Sequence, residues 1–212
     1  MTTAAELVIG ASPAAWSAVG FDVEVDAAGV GHLQLGGIRL RIDPSLQGMT
    51  EWVLAGAPTH TVTDIDGLRT SHGDPADAPA GDHPNTVFSI DHVVVNTSDL
   101  ERTCAAIESV TGAPLKRIRE AGPIRQGFHR LGELIVEVVT HAQVPAGPAL
   151  FWGLAFNVRD IDALYERVGD DLASAPKTAV QPGRRIASFR IAAELGLPIA
   201  VMTVREVPPP DL

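Results

Sequence analysis

The sequence predicts an α+β protein assembled from repeated βαβββ units. One pattern recurs along the 212 residues: an apolar strand, a small or polar turn, an amphipathic helix, then a glycine-led apolar strand. In the two clearest copies the matching anchors keep similar spacing, Asn96 to Gly132 over 36 positions and Asn157 to Gly196 over 39, a difference that one loop insertion covers. Hydrophobic residues make up 45% of the chain, ample for one large core or for two joined halves.

Residues 1–56 read as a degenerate first unit. Leu7-Val8-Ile9 is its opening strand, Trp16 sits in a short helix, Phe21 to Val25 follows, and Gln34 to Ile42 is the closing strand, with Trp52-Val53-Leu54 as a further short strand. Residues 57–87 are rich in Pro, Gly, Asp, Thr and His without apolar periodicity, and read as an exposed connector.

The first clear unit spans 88–142. Ile90 to Asn96 opens it, and Ser98 is expected to cap a helix whose positive end suits Asp99 and Glu101. Leu100, Cys104 and Ile107 form the helix's apolar stripe, Gly112 and Pro114 end it, and Arg130 to Val139 closes the unit. The second clear unit spans 150–205, from Gly153 to Ile161, through a helix with Leu164 and Val168 that closes at Gly169, to the strand Ile199 to Met202.

Charge and motif content exclude whole classes of function. With 26 acidic and 16 basic residues the net charge is −10, which opposes binding to nucleic acid or to an anionic membrane surface. A small-molecule ligand is the expected partner. The lone Cys104 excludes an internal disulfide and reads as a packing residue, and the start Met-Thr-Thr-Ala-Ala-Glu lacks a secretory pattern, so a cytoplasmic location is expected. No apolar run approaches the ~18–20 residues of a spanning helix. Phosphate-binding loop, zinc-protease and serine-hydrolase motifs are absent. The Asp64, Asp66, His72, Asp74, Asp77, Asp82 and His83 run lacks the spacing of a calcium loop or zinc finger.

His92 in an opening strand and Glu137 in the closing strand of the same unit form the principal candidate site, because a fold that joins those strands sets an imidazole beside a carboxylate. The pair suits acid–base work, with Glu137 removing a proton next to a carbonyl while His92 orients or reprotonates. The competing account makes His92 an ordinary hydrogen-bonded strand residue and Glu137 an ion-pair partner of Arg125 or Arg130. Arg184 and Arg185 follow a stiff Gln181-Pro182-Gly183 turn and can fork onto a carboxylate or phosphate, or else form surface ion pairs. Arg125, Phe128 and Arg130 are further substrate-binding candidates, with Phe128 and Arg130 on one face of their strand against His129. Trp152 offers an aromatic wall, or core packing.

The segments Asp91-His92-Val93, Ser98-Asp99-Leu100, Arg130-Leu131-Gly132, Ile135 to Val138 and Phe156 to Ile161 resemble the vicinal oxygen chelate superfamily, which contains glyoxalase I, extradiol dioxygenases and bleomycin-resistance proteins. The resemblance covers residues 88–204 well and the first 56 loosely. It implies paired βαβββ modules whose curved mixed sheets enclose a cleft, a glyoxalase-like lyase or isomerase acting on a small polar metabolite or a noncatalytic sequestering protein, and assembly as a homodimer. It further implies that His92 and Glu137 occupy positions of divalent-metal ligands. Their counterparts, Gly153 and Val201, have no ligating side chains, and the alternatives Glu6, His32, His129 and His141 must come from elsewhere. The implied metal set is incomplete, and the expected cofactor is left open between none and a divalent metal.

Overall fold

The computed structural model describes residues 1–56, 63–74 and 81–204. Two mixed sheets with a few helices form the α+β fold. The first half contains β1 (Thr3–Gly10), α1 (Pro13–Ala18), β2 (Glu24–Val25), β3 (Gly31–Leu35), β4 (Ile38–Ile42), β5 (Gly48–Ala55), β6 (Asp64–Ile65) and β7 (Leu68–His72). These strands lie in the order β2-β3-β4-β1-β5-β7-β6. The second half contains β8 (Val87–Asn96), α2 (Leu100–Thr111), β9 (Arg117–Ala121), β10 (Ile124–Leu131), β11 (Leu134–Thr140), β12 (Leu150–Val158), α3 (Ile161–Leu172), β13 (Lys177–Thr178), β14 (Arg185–Ser188), α4 (Ala192–Leu195) and β15 (Ile199–Thr203). Its order is β13-β14-β15-β12-β8-β11-β10-β9.

Each half follows one plan. An opening strand lies parallel to its closing strand, β1 to β4, β8 to β11 and β12 to β15, which a tight turn cannot accomplish and a helical crossover can. Two opening strands then meet antiparallel at the centre of each sheet, β1 against β5 and β8 against β12. The glycine of the recurring Leu-Gly pair sits in a two-residue hairpin at positive φ, 58° at Gly36 and 65° at Gly132, where a side chain would be strained.

Leu100, Cys104 and Ile107 are buried as the helical period requires. Asp99, not Ser98, caps α2: its carboxylate accepts from the Arg102 amide, while the Ser98 hydroxyl turns to Gly147. Gly112 in left-handed conformation ends α2 as its sequence position suggests. Two strands, β6 and β7, fall inside the stretch read as a connector, with Ile65 and Leu68 fully buried. The strands are short and carry few apolar residues, so their periodicity is weak, and pairing of β7 with β5 and of β6 with β7, rather than local pattern, fixes them. Within that stretch 57–62 and 75–80, with Asp77, lie outside the described residues, as does residue 205.

One continuous apolar core joins the two sheets, holding Leu7, Ile9 and Trp52 of the first together with Val93, Val136 and Phe156 of the second. Trp16 and Phe21 pack their rings on Phe156, and Trp52 meets Phe151 at a centroid distance of 5.3 Å. A buried histidine fastens the segment before β8 to the first half. His83 accepts from the Asp22 amide at 3.2 Å through Nδ1 and donates to the Gln34 carbonyl at 3.0 Å through Nε2, an arrangement that needs the neutral ring. His129, also buried, donates from Nδ1 to the Ala113 carbonyl at 2.9 Å.

Burial holds both imidazoles below the usual histidine range. The unfolded chain takes up protons first as pH falls, so stability is full above about pH 6.5 and declines as pH drops from there towards the lowered folded values. The urea midpoint is expected to be lower at pH 5.5 than at pH 7.5; an equal or higher midpoint at pH 5.5 contradicts the neutral assignment.

Candidate acid–base site

The outer face of the eight-stranded sheet, turned away from the core, carries the polar side chains. Strand register maps it row by row, because paired residues on neighbouring strands face the same side. One row runs Ala200, Ala155, His92, Ile135, Arg130 across β15, β12, β8, β11 and β10. The next runs Gly153, Val94, Glu137, Phe128, Arg117 across β12, β8, β11, β10 and β9, and the third runs Asn96, Val139, Gln126, Arg119. His92 and Glu137 thus sit diagonally on adjacent strands, with His92 Nε2 at 3.3 Å from Glu137 Oε2.

A β-bulge supplies the third member. In the β8–β12 pairing Ala155 opposes His92 and Phe156 opposes Ile90, leaving Asp91 as an extra residue. Ile90 and Val93 are both buried in the core, so Asp91 and His92 both turn outward. Asp91 Oδ2 lies 2.8 Å from His92 Nδ1, and the other carboxylate oxygen accepts from Arg184 Nη2 at 3.0 Å. Arg184 also donates to Asn157 Oδ1 at 2.8 Å and to the Thr203 carbonyl at 2.6 Å, and Asn157 donates to the Ser89 hydroxyl at 3.1 Å. At the opposite end Gln126 donates to Glu137. The result is one connected line, Gln126–Glu137–His92–Asp91–Arg184–Asn157–Ser89, whose His92 and Glu137 side chains are 14% and 13% exposed. Burial pushes the Asp91 carboxyl up, but hydrogen bonds from His92 and Arg184 overcome it and hold the group below the usual carboxylate range.

Of the arginines singled out in the sequence, Arg184 joins this line. Arg185 lies beside it in sequence but pairs with exposed Asp162 at 2.5 and 2.9 Å. Arg125 occupies the opposite face of β10, where it meets Glu101 of α2, and Glu137 pairs with neither Arg125 nor Arg130. Phe128 stands beside Glu137 on the outer face; Arg130, at the strand end, donates to the Gly132 carbonyl and lines a separate cavity of about 510 Å³ with Thr2, Thr111 and Lys116. Trp152 is half exposed and lines a cavity of about 270 Å³ with His141 and Pro148, away from His92 and Glu137. Asp91, Gln126, Asn157 and Ser89 carried no role in the sequence reading. The spacing of apolar Ile90, Val93 and Val95 breaks the two-residue alternation at Asp91-His92, and that break is the signal of the bulge.

The donor set does not fit a divalent metal. With His92 Nδ1 bonded to Asp91, the face offers His92 Nε2 and Glu137, two donors among the described residues where even catalytic zinc takes three protein ligands. A Cβ at position 153 would come 2.9 Å from the Pro198 carbonyl oxygen, so no ligating side chain has room there. Val201, aligned by sequence with Glu137, turns into the core; the outer-face residues of β15 are Ala200 and Met202, which do not ligate hard cations either. Glu6 belongs to the other sheet and pairs with Arg39, His32 pairs with Asp26, His141 bonds Gln143, and His129 faces the core side. No group of three or more His, Cys, Asp or Glu among the described residues is placed to hold a metal.

No family model and no curated protein matches the chain. Solved structures do match across its length. A triple mutant of 4-hydroxymandelate synthase from Streptomyces coelicolor aligns over 95% of this chain and 92% of its own, with 16% identity and a TM-score of 0.64. BphC, a halotolerant catechol dioxygenase, aligns over 95% of this chain and 86% of its own at 13% identity and TM-score 0.64. The fold is that of the vicinal oxygen chelate superfamily. A fusion of a xylose isomerase-like barrel with a 4-hydroxyphenylpyruvate dioxygenase matches at TM-score 0.65 and 12% identity, with 97% of this chain spanning 49% of that one. At such identities the likeness concerns the vicinal oxygen chelate fold and not the chemistry. No helix among the described residues is long and apolar enough to cross a membrane.

Two outcomes are expected. Asp91→Asn leaves Arg184 without its charged partner and should lower stability at pH 7 by about 1–3 kcal/mol. Because the Asp91 pKa is depressed on folding, its contribution is present above about pH 4 and lost as pH falls through the folded value, so the variant should also show a flatter acid limb in urea titrations than the parent. Titration with manganese, nickel, iron or zinc should give no stoichiometric binding that His92→Ala with Glu137→Ala removes; near-stoichiometric metal lost in that double variant would overturn the reading of the donor set.

Proposed function

We propose that the protein transfers protons at a carbon beside a carbonyl in a small polar organic molecule, as a glyoxalase-like lyase or isomerase, with Glu137 and His92 as its acid–base pair. One observation carries the reading: His92 stands between two carboxylates, 2.8 Å from Asp91 and 3.3 Å from Glu137. A neutral imidazole donates through one nitrogen only, so with Nδ1–H given to Asp91, the working state of the site carries one further proton shared by Nε2 and Glu137. With that proton on the ring, Glu137 is a carboxylate free to accept a substrate C–H proton. The C–H electron pair then moves into the adjacent carbonyl to give an enolate, and the imidazolium returns a proton to the enolate oxygen or to carbon. Asp91, anchored by Arg184, keeps the ring oriented and offsets its positive charge, and Gln126 holds Glu137 from the other side.

The second reading is a noncatalytic protein that sequesters a small metabolite or antibiotic, supported by the absence of a fitting metal donor set in a fold whose enzymes use one. The two separate in one experiment. Exchange of carbonyl-adjacent protons for deuterium, followed by proton NMR across a panel of small ketones, aldehydes and keto acids, is expected for at least one compound, and Glu137→Gln should slow it by about 10²–10⁴-fold. Exchange unchanged in Glu137→Gln removes the assigned base, whereas tight binding without any exchange favours sequestration.

A further inference from the structure

The substrate class of this site is written on its approach side. Towards β15 the outer face is closed by a small apolar cluster in which Ala155, Ala179 and Met202 are buried and Ile186 and Ala200 pack against them. Towards β9 it presents cations instead. Arg117 and Arg119 face the same side as Glu137, since Arg117 is paired with Phe128, which is paired with Glu137, and Arg119 is paired with Gln126, which donates to Glu137. The Arg117 guanidinium lies over the Phe128 ring at 4.5 Å from its centroid. Neither arginine pairs with a carboxylate among the described residues, although the chain has a net charge of −10 and eight of its other arginines do. Gln126 adds a directional cue: it is registered with Arg119 on one side, its amide donates to Glu137 in the neighbouring row, and its Oε1 is buried and lacks a hydrogen-bond donor.

Resting on the acid–base reading above, we propose that the substrate is an anion, a carbonyl compound whose carboxylate or phosphate is held by Arg119 and Arg117. Its body lies along Phe128 and its reactive carbon reaches Glu137. The outer strand is two strand spacings from β11, about 10 Å, and an extended arginine side chain shortens the gap, so the anionic group and the reactive carbon are separated by a few bonds rather than one. A hydroxyl or amide N–H between the two would satisfy Gln126 Oε1. The guanidinium forks suit either oxyanion, so the shared chemistry is a planar or tetrahedral oxyanion next to a short carbonyl-bearing body.

Two probe pairs test this by calorimetry: 4-oxo-4-phenylbutanoate against its primary amide, and dihydroxyacetone phosphate against dihydroxyacetone. At least one charged probe is expected to bind about tenfold or more tightly than its neutral partner, and the tighter charged probe identifies carboxylate or phosphate as the preferred oxyanion. Arg119→Gln and Arg117→Gln should each weaken that probe by about 5- to 20-fold while leaving the thermal midpoint unchanged, and Arg119→Lys should retain part of the affinity. Neutral probes binding as well as charged ones, unaltered affinity in Arg119→Gln, or no binding of either charged probe at tens of millimolar overturns the proposal. Deuterium exchange in the bound probe reads the acid–base assignment separately. Arginine-dependent binding without exchange leaves the anion site standing and removes the catalytic reading, while exchange that needs Glu137 but ignores both arginines does the reverse.

Discussion

The antiparallel meeting of β8 and β12 at the centre of the second sheet is the constraint on which the rest of the molecule turns. It fuses two strand–helix–strand units into one sheet and so allows a single face to collect side chains from six strands. The pairing is not regular. The extra residue at Asp91 lets two consecutive side chains leave the same side of the strand, while Ile90 and Val93 on either side stay in the core. Without the bulge, Asp91 would point into an apolar interior, where an unpaired carboxylate is costly, and His92 would lose the partner that orients it.

That local irregularity converts a sheet face into an electrostatic device. The polar line from Gln126 to Ser89 alternates donors and acceptors across β10, β11, β8, the turn before β14 and β12, so each member restrains the next. Arg184 is its counterweight: one largely covered guanidinium against two carboxylates and a histidine. A line so placed holds its side chains rigid before any ligand arrives, which is the condition under which fixed charges assist proton transfer.

The unit repeat and its helices were legible because each rests on local chemistry, an apolar stripe at helical spacing and strands with apolar periodicity, whereas the closing runs Gln34 to Ile42 and Arg130 to Val139, read as single strands, are each cut in two by a hairpin at Gly36 and Gly132. The cap of α2 was misread by one residue, since Ser98 and Asp99 are both good caps and only the backbone geometry decides between them. Strands β6 and β7 escaped because they are defined by their pairing, β7 with β5 and β6 with β7, and not by their own pattern. At the site, His92 and Glu137 were readable as residues of paired strands. Asp91 and Gln126 were not, because their importance comes from a register shift and a cross-strand contact that no single segment encodes. Arg125 and Arg130 looked alike on one strand, yet the two-residue alternation of that strand sends one to α2 and the other to a strand end.

The close approach of the Pro198 carbonyl to Gly153 has a historical meaning as well as a steric one. A single codon change at that position to histidine or glutamate cannot install a ligand, because the segment leading into β15 would first have to shift. Gain of a metal centre on this sheet therefore requires at least two coordinated changes, one in the loop and one in the strand, the first neutral at best until the second arrives. Such sign-dependent pairs are slow for lineages to cross, so the scaffold is buffered against drifting into metal-dependent chemistry on this face, and a directed-evolution campaign seeking a metal centre would do better to begin at Pro198 than at Gly153.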